Sequence, residues 1–236
     1  MKLAVRNLKA EIQSSQILRG IGIEVGDNEL VCLVGRNGAG KTTTLRTIMG
    51  FQRAAAGTIE VDGRSIVGMP TERIAQLGIG FSPEESEVFG DLTVAQNIEL
   101  PTWTRSTARS AEERIAFAYE VFPKLRGYAA RGGAQLSGGE RKMLSIARAL
   151  ALDAALLLLD EPFEGLSPAI IPDIGDSIHR IVQTGRSVLQ AESNLHHVPS
   201  FAARLYVIER GEIIFVGTPT AAHKDPSVMR VLGGAV

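Results

Sequence analysis

The sequence holds a single cysteine, Cys32, so no disulfide can form within the chain. Cys32 lies inside the apolar run Leu30, Val31, Cys32, Leu33, Val34, where its thiol reads as a small core hydrophobe rather than a reactive group. Charge of one sign is also missing: Lys and Arg number 25 against 26 Asp and Glu, a net of −1 with acid and base interspersed. That balance lacks the basic footprint of a nucleic-acid binder, and DNA or RNA is not expected as the main partner. Long hydrophobic runs are absent as well. The longest, Leu156 to Leu159 with its flanking alanines, is far short of a membrane span, and MKLAVRNLKA has no apolar core of signal-peptide length. A cytoplasmic protein that does not itself cross a bilayer is expected. There is no internal repeat or low-complexity tract, and 44% hydrophobic residues predict an ordinary globular core.

Directly behind the run Leu30 to Val34 stands Gly35, Arg36, Asn37, Gly38, Ala39, Gly40, Lys41, Thr42, Thr43. A buried strand entering a glycine-rich turn and then a helix is the context in which this spacing binds a nucleotide. Gly35, Gly38 and Gly40 let the backbone curl so that successive N–H groups face a polyphosphate. Lys41 then reaches the β- and γ-phosphates, and the Thr42 hydroxyl is placed to ligate the Mg²⁺ that bridges them, with Thr43 the next donor. The plain alternative is a glycine turn that merely feeds a helix.

Strands are predicted at Leu3 to Leu8, Ile17 to Val25, Leu30 to Val34, Gly57 to Val61 and Ile79 to Ser82, with a helix from Lys41 to about Met49. From residue 84 to 152 the texture turns helical. Ser110 and Glu113 make a capping box there, and Ile115, Ala118, Tyr119 and Phe122 share a helical face. Leu156 to Asp160 reads as a parallel strand, and Ile171, Ile174, Ile178 and Ile181 form the buried seam of the next helix. Strands recur at Ser187 to Gln190, Leu205 to Glu209 and Glu212 to Val216. The order is mixed α/β with a helical insert.

Within that insert, Leu136, Ser137, Gly138, Gly139, Glu140 opens a helix, Ser137 and Glu140 forming a second capping box. The two glycines are poor helix formers, which predicts close approach of a group such as a phosphate. Taken with GRNGAGKT before it and LLLLDE after it, this LSGGE order resembles the ATP-binding-cassette (ABC) ATPase family over essentially the whole chain. The resemblance implies one cassette over residues 1–236: a P-loop NTPase with a mixed β core and antiparallel β subdomain from 1–83 and 153–236, and a helical signature subdomain at 84–152. It also implies roles. Asp160 would hold Mg²⁺, Glu161 would polarise the attacking water, and Gly165, Leu166, Ser167 and Pro168 would form the loop between two cassettes. Two cassettes of this family sandwich two ATP molecules, so Ser137, Gly138, Gly139 and Glu140 would complete the site of a second ATPase subunit.

The GLSP loop, the acidic residue after Pro83, the TIMG segment and Glu192 to Asn194 resemble, within the family, the branched-chain amino-acid importer ATPases of the LivF type. Such a protein would sit on the inner face of the membrane with integral permease subunits and, indirectly, a periplasmic solute-binding protein. The solute is chosen by those partners, and branched-chain or other amino acids, amides and urea all fit. Three positions depart from the broad family pattern. Ile12 stands where an aromatic residue usually stacks on adenine. Glu84, expected near water and Mg²⁺, replaces a glutamine. Ser193 occupies the place of the switch histidine, and His196 and His197 beyond it read as surface residues of the following helix. A soluble cassette of DNA repair or translation would carry long insertions, a second cassette or a basic face. A non-hydrolysing structural subunit is the other rival, motivated by Ser193 and opposed by Glu161.

Overall fold

The computed structural model describes residues 2–233. Every residue of β3 (Leu30–Val34) and of β7 (Leu156–Asp160) is buried, as strands covered on both faces must be. Both lie in a six-stranded sheet of order β10-β9-β3-β8-β7-β6, whose other members are β6 (Ile79–Ser82), β8 (Ser187–Glu192), β9 (Arg204–Glu209) and β10 (Glu212–Gly217). Pairing is parallel from β9 through to β6, and only the β9–β10 hairpin is antiparallel. An antiparallel second sheet runs β2-β1-β4-β5, from β1 (Leu3–Ile12), β2 (Ser15–Val25), β4 (Ala54–Val61) and β5 (Arg64–Ser65).

The two-residue period of a strand divides the core. Leu30, Cys32 and Val34 of β3 and Leu157 and Leu159 of β7 pack on one side with the helices of the insert. Val31, Leu33, Leu156 and Leu158 point the other way, onto α1 (Lys41–Ile48) and the antiparallel sheet. Cys32 is fully buried, and desolvation first, then the charge of Glu192, pushes its thiol far above the ordinary range, as a core residue requires. After α2 (Thr71–Gln76) and β6, residues 84–152 contain no strand of either sheet and carry α3 (Val94–Glu99), α4 (Ala111–Val121), α5 (Pro123–Arg126) and α6 (Gly138–Ala151). Both expected capping boxes form, Ser110 with Glu113 and Ser137 with Glu140. Beyond the insert, α7 (Ile171–Gln183) buries Ile174, Ile178 and Ile181 against the same core. Among the described residues no helix is long and apolar enough to cross a membrane.

Several strands run longer than the alternation predicts. β1 continues to Ile12 and β4 begins at Ala54, because irregular register between Arg6 and Lys9 absorbs a break in the pattern. The turn of the β9–β10 hairpin carries the fold's tightest glycine. Gly211 has φ +81°, and a Cβ there would sit 1.9 Å from the Ile17 carbonyl oxygen. Its N–H donates to the Ala39 carbonyl and its own carbonyl accepts from Arg19, both at 2.9 Å, so one residue ties β2 to the Gly35–Gly40 loop. Replacing Gly211 by alanine is expected to cost about 1–3 kcal/mol of stability, through left-handed strain and steric conflict together. Urea unfolding beside a nucleotide titration checks this: both the midpoint and the nucleotide affinity should drop.

Candidate nucleotide site

At the end of β3 the chain must turn sharply without leaving the sheet, and Gly35 fits because a Cβ would lie 2.4 Å from the Ile208 carbonyl oxygen. Gly38 and Gly40 hold φ of +80° and +113°, the left-handed region that side chains resist. Gly40 caps α1 with no side-chain hydrogen bond, and the first turn has no acid, so the helix N-terminus presents free N–H groups and positive dipole. Lys41 is 5% exposed and folds back, donating to the carbonyl oxygens of Gly35 at 2.7 Å and Arg36 at 3.3 Å. Its Nζ also meets Glu161 Oε1 at 3.0 Å. A buried ammonium needs such partners, and a phosphate oxygen can take their place.

Parallel register brings the acids to the same point. Asp160 pairs with Ala191 across β7–β8, and Val34 pairs with Glu192 across β3–β8, so three strand ends converge. Asp160 accepts from Thr42 Oγ1 at 3.3 Å, while its Oδ2 is buried without a partner. Desolvation, opposed by the Thr42 hydrogen bond, raises its pKa to about 6. An orphaned carboxylate oxygen beside a threonine hydroxyl fits Mg²⁺, and no group of three or more His, Cys, Asp or Glu able to hold a metal occurs among the described residues. One carboxylate, a hydroxyl and ligand phosphates are a usual Mg²⁺ set.

Glu161 adopts φ 47°, its N–H donates to the Ala191 carbonyl at 3.0 Å, and its Oε2 accepts from the Ser193 N–H at 3.0 Å. The Ser193 hydroxyl turns instead to Glu164 Oε2 at 3.3 Å. Main chain, not side chain, thus links position 193 to Glu161. A cavity of about 420 Å³ is lined by Ile17, Asn37, Gly38, Gly40, Lys41, Thr42, Thr43, Glu84 and Glu161. Of the loop residues that do not line it, Arg36 is exposed and Ala39 is buried.

Other expected residues lie elsewhere. Ile12 is 41% exposed at the end of β1 and does not line the cavity; the aliphatic wall is Ile17, which the sequence reading passed over. Ser137, Gly138, Gly139 and Glu140 also lie outside it, with the start of α6 open to solvent. Gly139 has a packing reason as well, since a Cβ would stand 3.0 Å from Ile170, whereas at Gly138 it would meet nothing. His197 corrects the surface assignment: it ends a 3₁₀ turn at Leu195–His197, and its Nδ1 lies 3.2 Å from Glu192 Oε2. His196 is exposed as expected.

Two further features carry a signal that the sequence offered unread. Gln190 and Glu192 are polar residues on a fully buried parallel strand, and the two-residue period places both on one face. Along α6, Lys142, Ser145 and Arg148 recur every third residue and stitch the segment after β6 in place. Lys142 Nζ donates to the Glu84 carbonyl at 2.6 Å, Ser145 Oγ lies 2.9 Å from Ser82 Oγ, and Arg148 Nη1 donates to the Glu87 carbonyl at 2.7 Å. Glu84 is therefore held by the helix that begins with Ser137.

Burial raises the Glu192 carboxyl to about 7 despite its His197 bond, and that bond in turn raises His197. The folded chain thus binds protons that the unfolded chain releases, so stability from these groups is full below about pH 4.5 and is lost as pH rises through about 7. The unfolding free energy of the nucleotide-free protein, followed in urea across that window, should fall with rising pH. In Glu192→Gln the fall should be shallower, and an unaltered slope would count against the raised carboxyl.

A family model described as ABC transporter matches residues 18–164. The chain is 36% identical over 234 residues to the lipopolysaccharide export system ATP-binding protein LptB of Haemophilus influenzae, covering 98% of this chain and 97% of that protein. It is 37% identical over 220 residues to the high-affinity branched-chain amino acid transport ATP-binding protein BraG of Pseudomonas aeruginosa, covering 93% and 94%. The fold matches the ADP conformation of an ATP-binding cassette of an ABC transporter with a TM-score of 0.87 at 24% identity, covering 99% of each chain.

Proposed function

The chain belongs to the ABC transporter family and is an ATPase that uses ATP with Mg²⁺, and on that premise we propose that it energises an importer of branched-chain or related amino acids. The observation that carries the ATPase chemistry is the single cavity holding Lys41, Thr42, Glu84 and Glu161 against an uncapped helix N-terminus. Lys41 and the loop N–H groups stabilise charge spreading over the transferred phosphoryl group. Thr42 and Asp160 would hold Mg²⁺, which when bound neutralises phosphate charge and orients the oxygens. Glu161 accepts the proton of the attacking water, with Glu84 beside it orienting that water. Ser137, exposed, and Gly139, half-buried, do not line this cavity and serve the nucleotide of a second cassette.

The amino-acid reading rests on the likeness to BraG and on the Glu192 to Asn194 segment. The comparable likeness to LptB favours a second reading, export of a lipopolysaccharide-like glycolipid. Reconstitution with the cognate permease separates them. Stimulation of ATP hydrolysis by an amino-acid-loaded binding protein supports import, and stimulation only by membrane-embedded glycolipid overturns it.

For the ATPase itself, Glu161→Gln should retain Mg-ATP binding yet lose at least about a hundredfold in turnover and accumulate as an ATP-bound dimer. Hydrolysis and sedimentation measured on the same samples check this, and near-normal turnover would remove Glu161 from its role.

The segment after β6 also faces a groove of about 280 Å³ lined by Met49, Phe51, Phe81, Glu87, Pro101 and Arg148 among others. Phe51 is 52% exposed there, and Glu84, Glu85 and Glu87 are exposed alongside. A permease segment presenting Lys or Arg beside apolar residues is the partner this groove suits, with the charges setting partner choice more than affinity. Replacing Glu85 and Glu87 by arginine should abolish assembly with the cognate permease while leaving nucleotide binding by the isolated chain intact. Normal assembly at low salt would return both acids to a solvated loop.

A further inference from the structure

Ser193 cannot reach as far as a histidine would, yet the segment around it is tightly held, and the holding is unusual. Glu192 is the last residue of β8 and is fully buried. Its carbonyl oxygen accepts from the Gly35 N–H at 3.1 Å, at the start of the phosphate loop. The next N–H along the chain, that of Ser193, is the one that donates to Glu161. Its carboxylate accepts from Gln190 Nε2 at 3.2 Å through one oxygen and meets His197 Nδ1 at 3.2 Å through the other.

His197 closes the circuit. Asn194 Oδ1 accepts from the His196 N–H at 2.9 Å and the Asn194 carbonyl accepts from the His197 N–H at 3.1 Å, folding the chain back so that the imidazole returns to the residue before Ser193. The other side of the ring packs on Phe163, at a centroid distance of 5.6 Å and tilted 60°. Phe163 follows Glu161 by two residues and is buried. One side chain therefore braces both strands of the contact between Glu161 and Ser193: the Ser193 side through Glu192, and the Glu161 side through Phe163.

We infer that His197, paired with Glu192, is a positioning residue for hydrolysis, fixing the Glu161 carboxylate through the Ser193 N–H and the Phe163 ring. It does not line the nucleotide cavity. Its work is to keep the carboxylate in one orientation where the short Ser193 side chain, bound to Glu164, contributes nothing to Glu161 directly. The electrostatic setting explains why a histidine suits the place. Glu161 and Glu164 after β7 and Glu192 on β8 all act on the ring, and each favours its protonated form. Facing Glu192 from other elements are Cys32 on β3, whose thiol stays neutral, and Lys142 on α6, itself buried and engaged with the Pro83 and Glu84 carbonyls. Among these neighbours, His197 is the titratable group that bonds Glu192 directly.

The inference rests on Glu161 being the base, and the test keeps the two apart. ATP hydrolysis and Mg-ATP affinity are measured on the chain assembled with its permease for wild type, Glu161→Gln, His197→Ala and His197→Asn, with thermal unfolding of each. Asparagine places a neutral donor where Nδ1 stands. His197→Ala should lose about tenfold in kcat with KM within about twofold, and His197→Asn should recover to within about threefold of wild type. Because asparagine does not titrate, the ratio of wild-type to His197→Asn turnover should fall as pH rises through the upward-shifted His197 titration. If Glu161→Gln is inactive while His197→Ala turns over normally, this inference fails and the proposed base stands. If alanine and asparagine lose kcat and thermal stability equally, with a pH-independent ratio, His197 is a packing residue and the inference again fails. Normal turnover in Glu161→Gln overturns the proposed base itself.

Discussion

The site depends on parallel register. Val34 pairs with Glu192 and Asp160 with Ala191, so three fully buried strands stop at the same level and deliver a glycine-rich loop, a candidate metal-ligating acid and a candidate base to one spot. Sliding β7 by one residue would turn Asp160 toward the opposite face and displace Glu161 after it, because alternate residues face opposite layers. The continuous Leu-rich character of β7 is what prevents such a slip: both of its faces are covered, and the terminal aspartate can sit only where a polar partner waits.

Charge is then balanced within a small volume. With no phosphate to hold it, the Lys41 ammonium is neutralised by Glu161 and loop carbonyls, and both side chains of the pair are only 5% exposed. Two opposite charges so far from water are tolerable only together. A polyphosphate that attracts Lys41 would compete with Glu161 for the same ammonium, so ligand entry and release of the candidate base would be linked by one exchange of partners.

Much of this was legible in the residues. The glycine spacing from Gly35 to Gly40, the apolar runs at β3 and β7 and the capping box at Ser137 each follow local rules that tertiary structure had no reason to override. What local rules could not reach was relative position across the sheet. Ile12 and Ile17 both fit an aliphatic contact, and only the turn between β1 and β2 puts Ile17 in the cavity. His197 sits in a polar stretch that reads as surface, and its half-buried place comes with a contact to Phe163, which is distant in sequence. Lys142, Gln190 and Glu192 were visible as polar residues at buried-face spacing, a pattern easily dismissed when attention rests on glycine-rich motifs.

The lone thiol at the centre of β3 gives the molecule a built-in clock. Cys32 is sealed on both faces of the sheet, and its environment strongly opposes the thiolate, the reactive form. Local fraying at the surface leaves β3 untouched, so only molecules whose central sheet has come apart expose this sulfur to a thiol reagent. The rate of alkylation therefore counts global opening events, in the same strand that runs into the Gly35–Gly40 loop, and nucleotide that binds the closed fold slows that count without blocking the sulfur itself.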